Sequence, residues 1–270
     1  MSEDRESGGA GDAAPIVLDR VAKRYPGAPH PLDLTDRTLA LARGQFTALI
    51  GGSGAGKSTL LKLINRLIEP DAGEVRFEGA PAAALPAPEL RRRIGYVFQG
   101  VGLFPHLSVA ENITVTPRLL GWGPARLAAR VRELLDLVAL PQSYAARAPA
   151  QLSGGERQRV GVARALAAAP GVMLLDEPFG ALDVVVREAL GADYRALHAR
   201  LGLTTLMVTH DVLEAALLAD RILVLHQGRL IADAPPAALL RERENPMVQA
   251  LFATARTQAA RVAAMAGENP

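Results

Sequence analysis

Gly51-Gly52-Ser53-Gly54-Ala55-Gly56-Lys57-Ser58-Thr59 directly follows the apolar run Phe46-Thr47-Ala48-Leu49-Ile50 and opens a segment carrying Leu60, Leu61, Leu63, Ile64 and Leu67 at helical spacing. A short apolar run is what a parallel strand buried on both faces requires, and strand, glycine loop and helix in that order is the setting of a phosphate-binding loop. The glycines let successive backbone N–H groups turn toward phosphate oxygens. Lys57 supplies charge for the β- and γ-phosphates, and the Ser58 hydroxyl is an oxygen ligand for Mg²⁺. Glycine loops also serve as plain turns, but the lysine-hydroxyl pair behind a buried strand points to ATP or GTP. No Asn-Lys-x-Asp guanine tetrad occurs, which favours ATP.

Val172-Met173-Leu174-Leu175 ends on a pair of carboxylates, Asp176 and Glu177, followed by Pro178. A carboxylate at a strand end reaches a metal that bridges two phosphates, so Asp176 reads as a ligand, and Glu177 is left to polarise the attacking water. The plain alternative is a capping Asp-Glu pair. His210 follows Val208-Thr209 at the end of another expected strand. A lone histidine is more often structural, but the carboxyl edge of an α/β sheet is where ligands bind, and His210 is assigned there to the γ-phosphate. Gln99, after Tyr96-Val97-Phe98, offers an uncharged amide to Mg²⁺ or the water. Tyr25, near the opening strand, either stacks on adenine or packs half-buried. Leu152-Ser153-Gly154-Gly155-Glu156 starts a helix running through Arg157, Val160 and Ala163, with a hydroxyl and free N–H groups at its N-terminus. By itself that pattern is an ordinary N-cap.

Composition bounds the rest. At 270 residues and 49% hydrophobic, the chain suits one sizeable domain or a domain with a lobe, and 30 basic against 28 acidic residues leave +2, so nucleic acid is not suggested. Arg91-Arg92-Arg93 reads as a solvated helix face. Cysteine is absent, excluding disulfides and thiolate metal sites. Residues 1–14 read as a disordered leader and not a signal peptide, and no apolar stretch is long enough to span a bilayer. The spacing predicts strands at Ile16–Val21, Leu39–Leu41, Phe46–Ile50, Val75–Phe77, Ile94–Phe98, Val172–Leu175, Thr205–Thr209 and Ile222–His226. Helices are expected at Ser58–Leu67, Val109–Thr114, Pro124–Val138, Glu156–Ala168 and Arg187–Arg200, with an Ala/Pro-rich loop over Ala80–Pro88. Asp233–Leu251 closes the fold, and residues 254–270 read as a frayed tail.

Taken together, from Ile16 to about Phe252, these segments resemble the ATP-binding cassette of ABC transporters. The resemblance implies an α/β fold: a P-loop NTPase (RecA-like) core with an antiparallel β subdomain and an inserted α-helical subdomain at about 100–158, the whole spanning 15–253. Within it the phosphate loop is Gly51 to Thr59, the Q-loop glutamine Gln99, the signature Leu152 to Glu156, the strand carboxylates Asp176 and Glu177, the D-loop Ala181-Leu182-Asp183 and the switch histidine His210. It also implies a head-to-tail homodimer in which Ser153, Gly154 and Gly155 of one subunit, with Asp183 nearby, close over the ATP held by Lys57 of the other. Three positions depart from the pattern: Gly52 stands where proline is usual, Glu156 where glutamine is common, and Val184 where the D-loop often continues with proline.

Within the family, Leu63 to Pro70, Gly102-Leu103-Phe104-Pro105-His106 and Val115 to Trp122 look like the importers of glycine betaine, choline and related osmoprotectants. That likeness implies an integral membrane permease, an extracytoplasmic substrate-binding protein and a peripheral position on the cytoplasmic face of the inner membrane. Many relatives carry a C-terminal pair of CBS modules, for which this length leaves no room. An importer for another solute, an amino acid or a phosphonate, shares every catalytic residue. ABC ATPases acting on DNA or ribosomes would call for a long coiled-coil insertion or a second cassette, and neither is in the sequence.

Overall fold

The computed structural model describes residues 14–27, 29–180, 182–253 and 257. Strands run in the order β1 (Ile16–Lys23), β2 (Leu32–Asp33), β3 (Thr38–Leu41), β4 (Phe46–Ile50), β5 (Ala72–Phe77), β6 (Ala80–Pro81), β7 (Ile94–Val97), β8 (Val172–Asp176), β9 (Thr204–Val208), β10 (Arg221–His226) and β11 (Arg229–Ala234). Between them lie α1 (Lys57–Ile64), α2 (Ala87–Arg93), α3 (Val109–Leu119), α4 (Pro124–Leu137), α5 (Gly154–Leu166), α6 (Val184–Leu201), α7 (Val212–Leu218) and α8 (Pro236–Arg241).

Two sheets result. Strands β1, β2, β3, β5 and β6 form an antiparallel sheet centred on β1. The second sheet has the order β11-β10-β4-β9-β8-β7, parallel except for the terminal hairpin β10–β11. All five residues of β4 and all five of β9 are buried, as strands covered on both faces must be. Alternation along β8 divides the core: Met173 and Leu175 join the cluster under α3 to α8, while Val172 and Leu174 join the one shared with α1 and the antiparallel sheet.

The register brings the strand ends together. Leu49 pairs with Val208, Val208 with Asp176, and Val97 with Leu175, so the residues that follow β4, β7, β8 and β9 emerge side by side at one carboxyl edge. Gly51, Gln99, Glu177 and His210 all stand on that edge, where open α/β sheets hold ligands.

Helices α3 and α4 pack on the front of α5, and a buried Asn112 pins the loop before α3. Its amide donates to the carbonyls of Phe104, Leu107 and Ser108 and accepts from the Phe104 N–H.

Several expectations are corrected in detail. Helix α1 ends at Ile64 because Asn65 closes it and Arg66 takes a left-handed φ of 48°. The stretch expected as a loop at 80–88 instead makes β6, a short 3₁₀ turn and the start of α2, whose first turn accepts proline because that N–H has no helical partner. Helix α7 and strand β11 were not expected. Gln227 and Gly228, both at positive φ (48° and 79°), make the tight turn that pairs β11 with β10. Nor is the arginine run only a solvated face: Arg91 donates to the carbonyls of Asn65 and Arg66 past the end of α1. Arg93 does pair on the surface, with Glu89 at 2.5 Å. The expected leader and tail fall outside the described residues, apart from residues 14 and 257.

Candidate nucleotide site

The phosphate loop is shaped by close approach. A methyl group on Gly51 would lie 2.1 Å from the Leu225 carbonyl oxygen, so the loop can cross β10 only without a side chain. Gly54 and Gly56 take φ of 74° and 105°, whereas Gly52 faces open space at an ordinary φ, which is why this departure from the family's usual proline costs no geometry. Ala55 is buried, and the exposed Gly52, Ser53 and Gly54 form the rim.

Helix α1 then begins with no side-chain cap and no acidic residue in its first turn. The other seven helices named above have either a capping side chain (α3, α5, α6, α7) or a proline in the first turn (α2, α4, α8). Unpaired N–H groups and the positive end of the helix dipole are therefore left facing the loop. Lys57, the first residue of α1, folds its ammonium onto the carbonyls of Gly51 (2.8 Å) and Gly52 (3.1 Å). Burial pushes that ammonium's pKa down, and the charges of Glu177 and Asp176 pull it back up. Ser58 is exposed beside it and Thr59 half-buried.

Four of the other expected residues meet at the sheet edge. Gln99 donates to Glu177 Oε2 at 3.0 Å, and His210 Nδ1 lies 3.4 Å from Glu177 Oε1, so one carboxylate is held from both sides. Glu177 takes a left-handed φ of 45°, unusual for a residue with a side chain, and its N–H is held by the Val208 carbonyl at 2.9 Å. Asp176 accepts a hydrogen bond from the Tyr96 hydroxyl at 3.2 Å. Burial pushes the Asp176 carboxyl up, against the pull of that hydrogen bond, and Glu177 beside it pushes in the same direction. Burial likewise raises Tyr96, keeping its proton on the hydroxyl. Sequence reasoning missed Tyr96; its place near the end of an apolar strand, three residues before Gln99, was the available signal.

An exposed hydroxyl at Ser58 and a carboxylate at Asp176 are hard oxygen donors, the type Mg²⁺ takes while keeping water and phosphate oxygens as its other ligands. No group of three or more His, Cys, Asp or Glu able to hold a metal unaided occurs among the described residues. The donor set fits a nucleotide-borne Mg²⁺ and not a closed protein cage.

The signature segment is internally satisfied. Ser153 caps α5: its hydroxyl accepts from the Glu156 N–H at 3.3 Å, while Glu156 accepts from the Ser153 N–H at 2.7 Å and from the Tyr144 hydroxyl at 2.8 Å. The Ser153 N–H, and after it the Tyr144 hydroxyl, hold the Glu156 carboxyl below its ordinary range. Gly154 and Gly155 let Leu182 and Val186 come close: a methyl on either would meet them at 3.2 and 3.0 Å. Asp183 caps α6 through the Val186 N–H. Ala181 lies outside the described residues. Gln99, Gly154 and Glu177 share the wall of one cavity of about 340 Å³. Tyr25 follows β1 with an exposed ring, and the structure does not bring it to the carboxylates.

The family described as ABC transporter matches residues 34–180, a span running from the residue after β2 to the turn after Glu177. This chain belongs to the ABC transporter family. It is 49% identical over 237 residues to the glycine betaine uptake system ATP-binding protein YehX of Escherichia coli (strain K12), covering 88% of this chain and 76% of that protein. It is 44% identical over 234 residues to the glycine betaine/carnitine/choline transport ATP-binding protein OpuCA of Bacillus subtilis (strain 168), covering 87% of this chain but only 61% of that longer relative. Among solved structures, the ABC cassette MJ0796 in a dimeric post-hydrolysis state bound to ADP and Pi matches with a TM-score of 0.72 and 33% identity, over 82% of this chain and 98% of that one. The fold is therefore the ABC ATPase cassette.

Proposed function

We propose that this chain is the ATP-hydrolysing subunit of an ABC importer for quaternary-amine osmoprotectants of the glycine betaine and choline type. The observation that carries the chemistry is the convergence of an uncapped α1, Lys57 and a doubly held Glu177 on one sheet edge. Lys57 leaves the Gly51 and Gly52 carbonyls for phosphate oxygens, and the loop N–H groups hold the remaining phosphate charge. Ser58 and Asp176, with Gln99 beside them, would hold Mg²⁺, which when bound would supply positive charge against the β- and γ-phosphates. Glu177 accepts a proton from the attacking water at its carboxylate, and Gln99 and His210 fix the direction in which that carboxylate points. His210 also meets the γ-phosphate. Tyr25 stacks on adenine.

The second half of each site comes from another copy. Ser153, Gly154 and Gly155 close over the nucleotide of the partner subunit, with Asp183 lining the junction, and the dimer of the solved cassette supports this arrangement. The helical segment at about 100–158, inserted in an ATPase domain of 15–253, passes dimer closure to a membrane permease fed by an extracytoplasmic binding protein. No helix among the described residues is long and apolar enough to cross a membrane. In this reading the permease holds the chain at the cytoplasmic face of the inner membrane. The permease face carries Trp122, stacked under Arg126 at 3.4 Å, and the exposed Leu119 and Leu120.

Glu177→Gln tests the chemistry: ATP still binds, and turnover falls about 10²- to 10⁴-fold. Parental turnover in that variant would remove Glu177 as the base. A sulfate/thiosulfate import ATP-binding protein of Chromobacterium violaceum is 45% identical, so the solute needs its own test. Uptake of labelled glycine betaine or choline should be lost in cells lacking the gene, and loss of sulfate uptake instead would replace the substrate class.

A further inference from the structure

Behind His210 stands an arginine that neither the motifs nor the reading above uses. Arg187, in the first turn of α6, donates through one terminal nitrogen to Asp211 Oδ2 at 3.0 Å and through the other to the Leu182 carbonyl at 3.3 Å. Its Nε is buried without a partner among the described residues. A guanidinium kept only to tie two helices together would be better placed with all its donors paired. The two groups it does hold are informative. Leu182 belongs to the segment that contacts Gly154 of the signature, and Asp211 is the residue next to His210.

Asp211 fixes the backbone on both sides of itself. Its Oδ1 accepts from the N–H groups of Leu213 and Glu214 to cap α7, and its own N–H donates to the Thr209 hydroxyl at 3.0 Å. The Thr209 N–H donates in turn to the Leu49 carbonyl at 3.2 Å, so His210 is strung between two anchored neighbours. One planar fork thus connects the Leu182 carbonyl to Asp211, whose neighbour's ring lies 3.4 Å from Glu177.

We propose that Arg187 is a positioning residue: it links the segment at 182–183 to Asp211, so that His210 is set against Glu177 only when that segment is in place. The inference rests on the reading that His210 and Glu177 act on the γ-phosphate. On that reading, closure of the signature of one subunit over the nucleotide of another reports back to the histidine of the same chain as Arg187.

The test uses the full chain and measures kcat, KM for ATP and the unfolding temperature of Arg187→Met, Arg187→Lys, Asp211→Asn and the Met/Asn double variant. Asn at 211 keeps the α7 cap and removes the charge that Arg187 binds. Arg187→Met and Asp211→Asn should each lower kcat about tenfold with KM for ATP within about twofold, and the double variant should be no slower than the worse single one. Arg187→Lys should recover only part of the rate, because one ammonium cannot span the carboxylate and the carbonyl. In a His210→Ala background, Arg187→Met should leave the residual rate unchanged. Parental kcat in folded Arg187→Met, multiplied losses in the double variant, or an equal loss without His210 would overturn the proposal. Should Arg187→Met not fold, parental kcat in Asp211→Asn overturns it alone. Parental turnover in His210→Ala would instead overturn the role given to that histidine, a failure distinct from that of Arg187.

Discussion

Helices α1 and α5 both begin at glycine-rich turns, yet their first turns are finished in opposite ways. The N-terminus of α1 has no capping side chain and no acidic residue in its first turn, and its lysine folds back on the loop carbonyls. That of α5 is closed by Ser153 and Glu156 in a reciprocal pair, with Tyr144 holding the same carboxylate from outside. An open helix end is unstable by itself and waits for an anion; a capped one holds its shape without a ligand. The contrast teaches why, on the proposed reading, the two glycine-led helix ends have different jobs. On that reading the first supplies the binding energy for the nucleotide, and the second arrives preformed as a lid, offering only the donors its own cap leaves over.

The contrast can be broken at its strongest point first. Lys57→Ala should weaken ATP binding roughly 10- to 100-fold, as expected for loss of a charge-assisted contact, without changing the thermal stability of the chain in the absence of nucleotide. Equilibrium titration with a fluorescent ATP analogue checks it, and unchanged affinity would mean that α1 is not the binding end. Next come two glycines of the same loop. Gly51→Ala has to displace the Leu225 carbonyl at 2.1 Å and should cost about 1–3 kcal/mol, whereas Gly52→Ala enters open space and should stay within about 0.5 kcal/mol. Denaturant midpoints of the two variants compare them directly.

The smallest effect belongs to α5. Glu156→Gln installs the family's common residue and keeps the cap, so stability at pH 7 should be nearly unchanged. Because the Glu156 carboxyl is held below its ordinary value of 4.5, mainly by the Ser153 N–H, its contribution is complete above that value and is lost as the pH falls through the lowered one. Thermal unfolding between pH 6 and pH 3 should therefore show a smaller acid loss in Glu156→Gln than in the parent.

The same contrast separates what could be read in the sequence from what could not. The phosphate loop was legible because its constraint is local: an apolar strand, glycines where the backbone must approach or turn, and a lysine on the first helical position. The strand ends bearing Gln99, Asp176, Glu177 and His210 were legible for a related reason, since apolar runs mark buried parallel strands and their last residues are where chemistry can stand. The Tyr96 bond to Asp176, the left-handed Glu177 and the Arg187 fork were not, because each depends on the register between strands or on contacts between segments far apart in the chain. Helix α2 was hidden by its prolines, which read as loop until their place in a first turn is known. Strand β11 was hidden by a two-residue turn in which Gln227, not a glycine or asparagine, takes the first positive φ.

The central claim is that the open end of α1 and the capped end of α5 complete one nucleotide site only across two copies. Sedimentation equilibrium of Glu177→Gln with ATP and Mg²⁺ tests it most directly, with and without a second change, Ser153→Arg, that crowds the capped end. The account predicts a species of twice the 28.5 kDa chain mass for Glu177→Gln and a monomer that still binds ATP once Ser153→Arg is added. A monomer in both, or a dimer indifferent to Ser153→Arg, would contradict it.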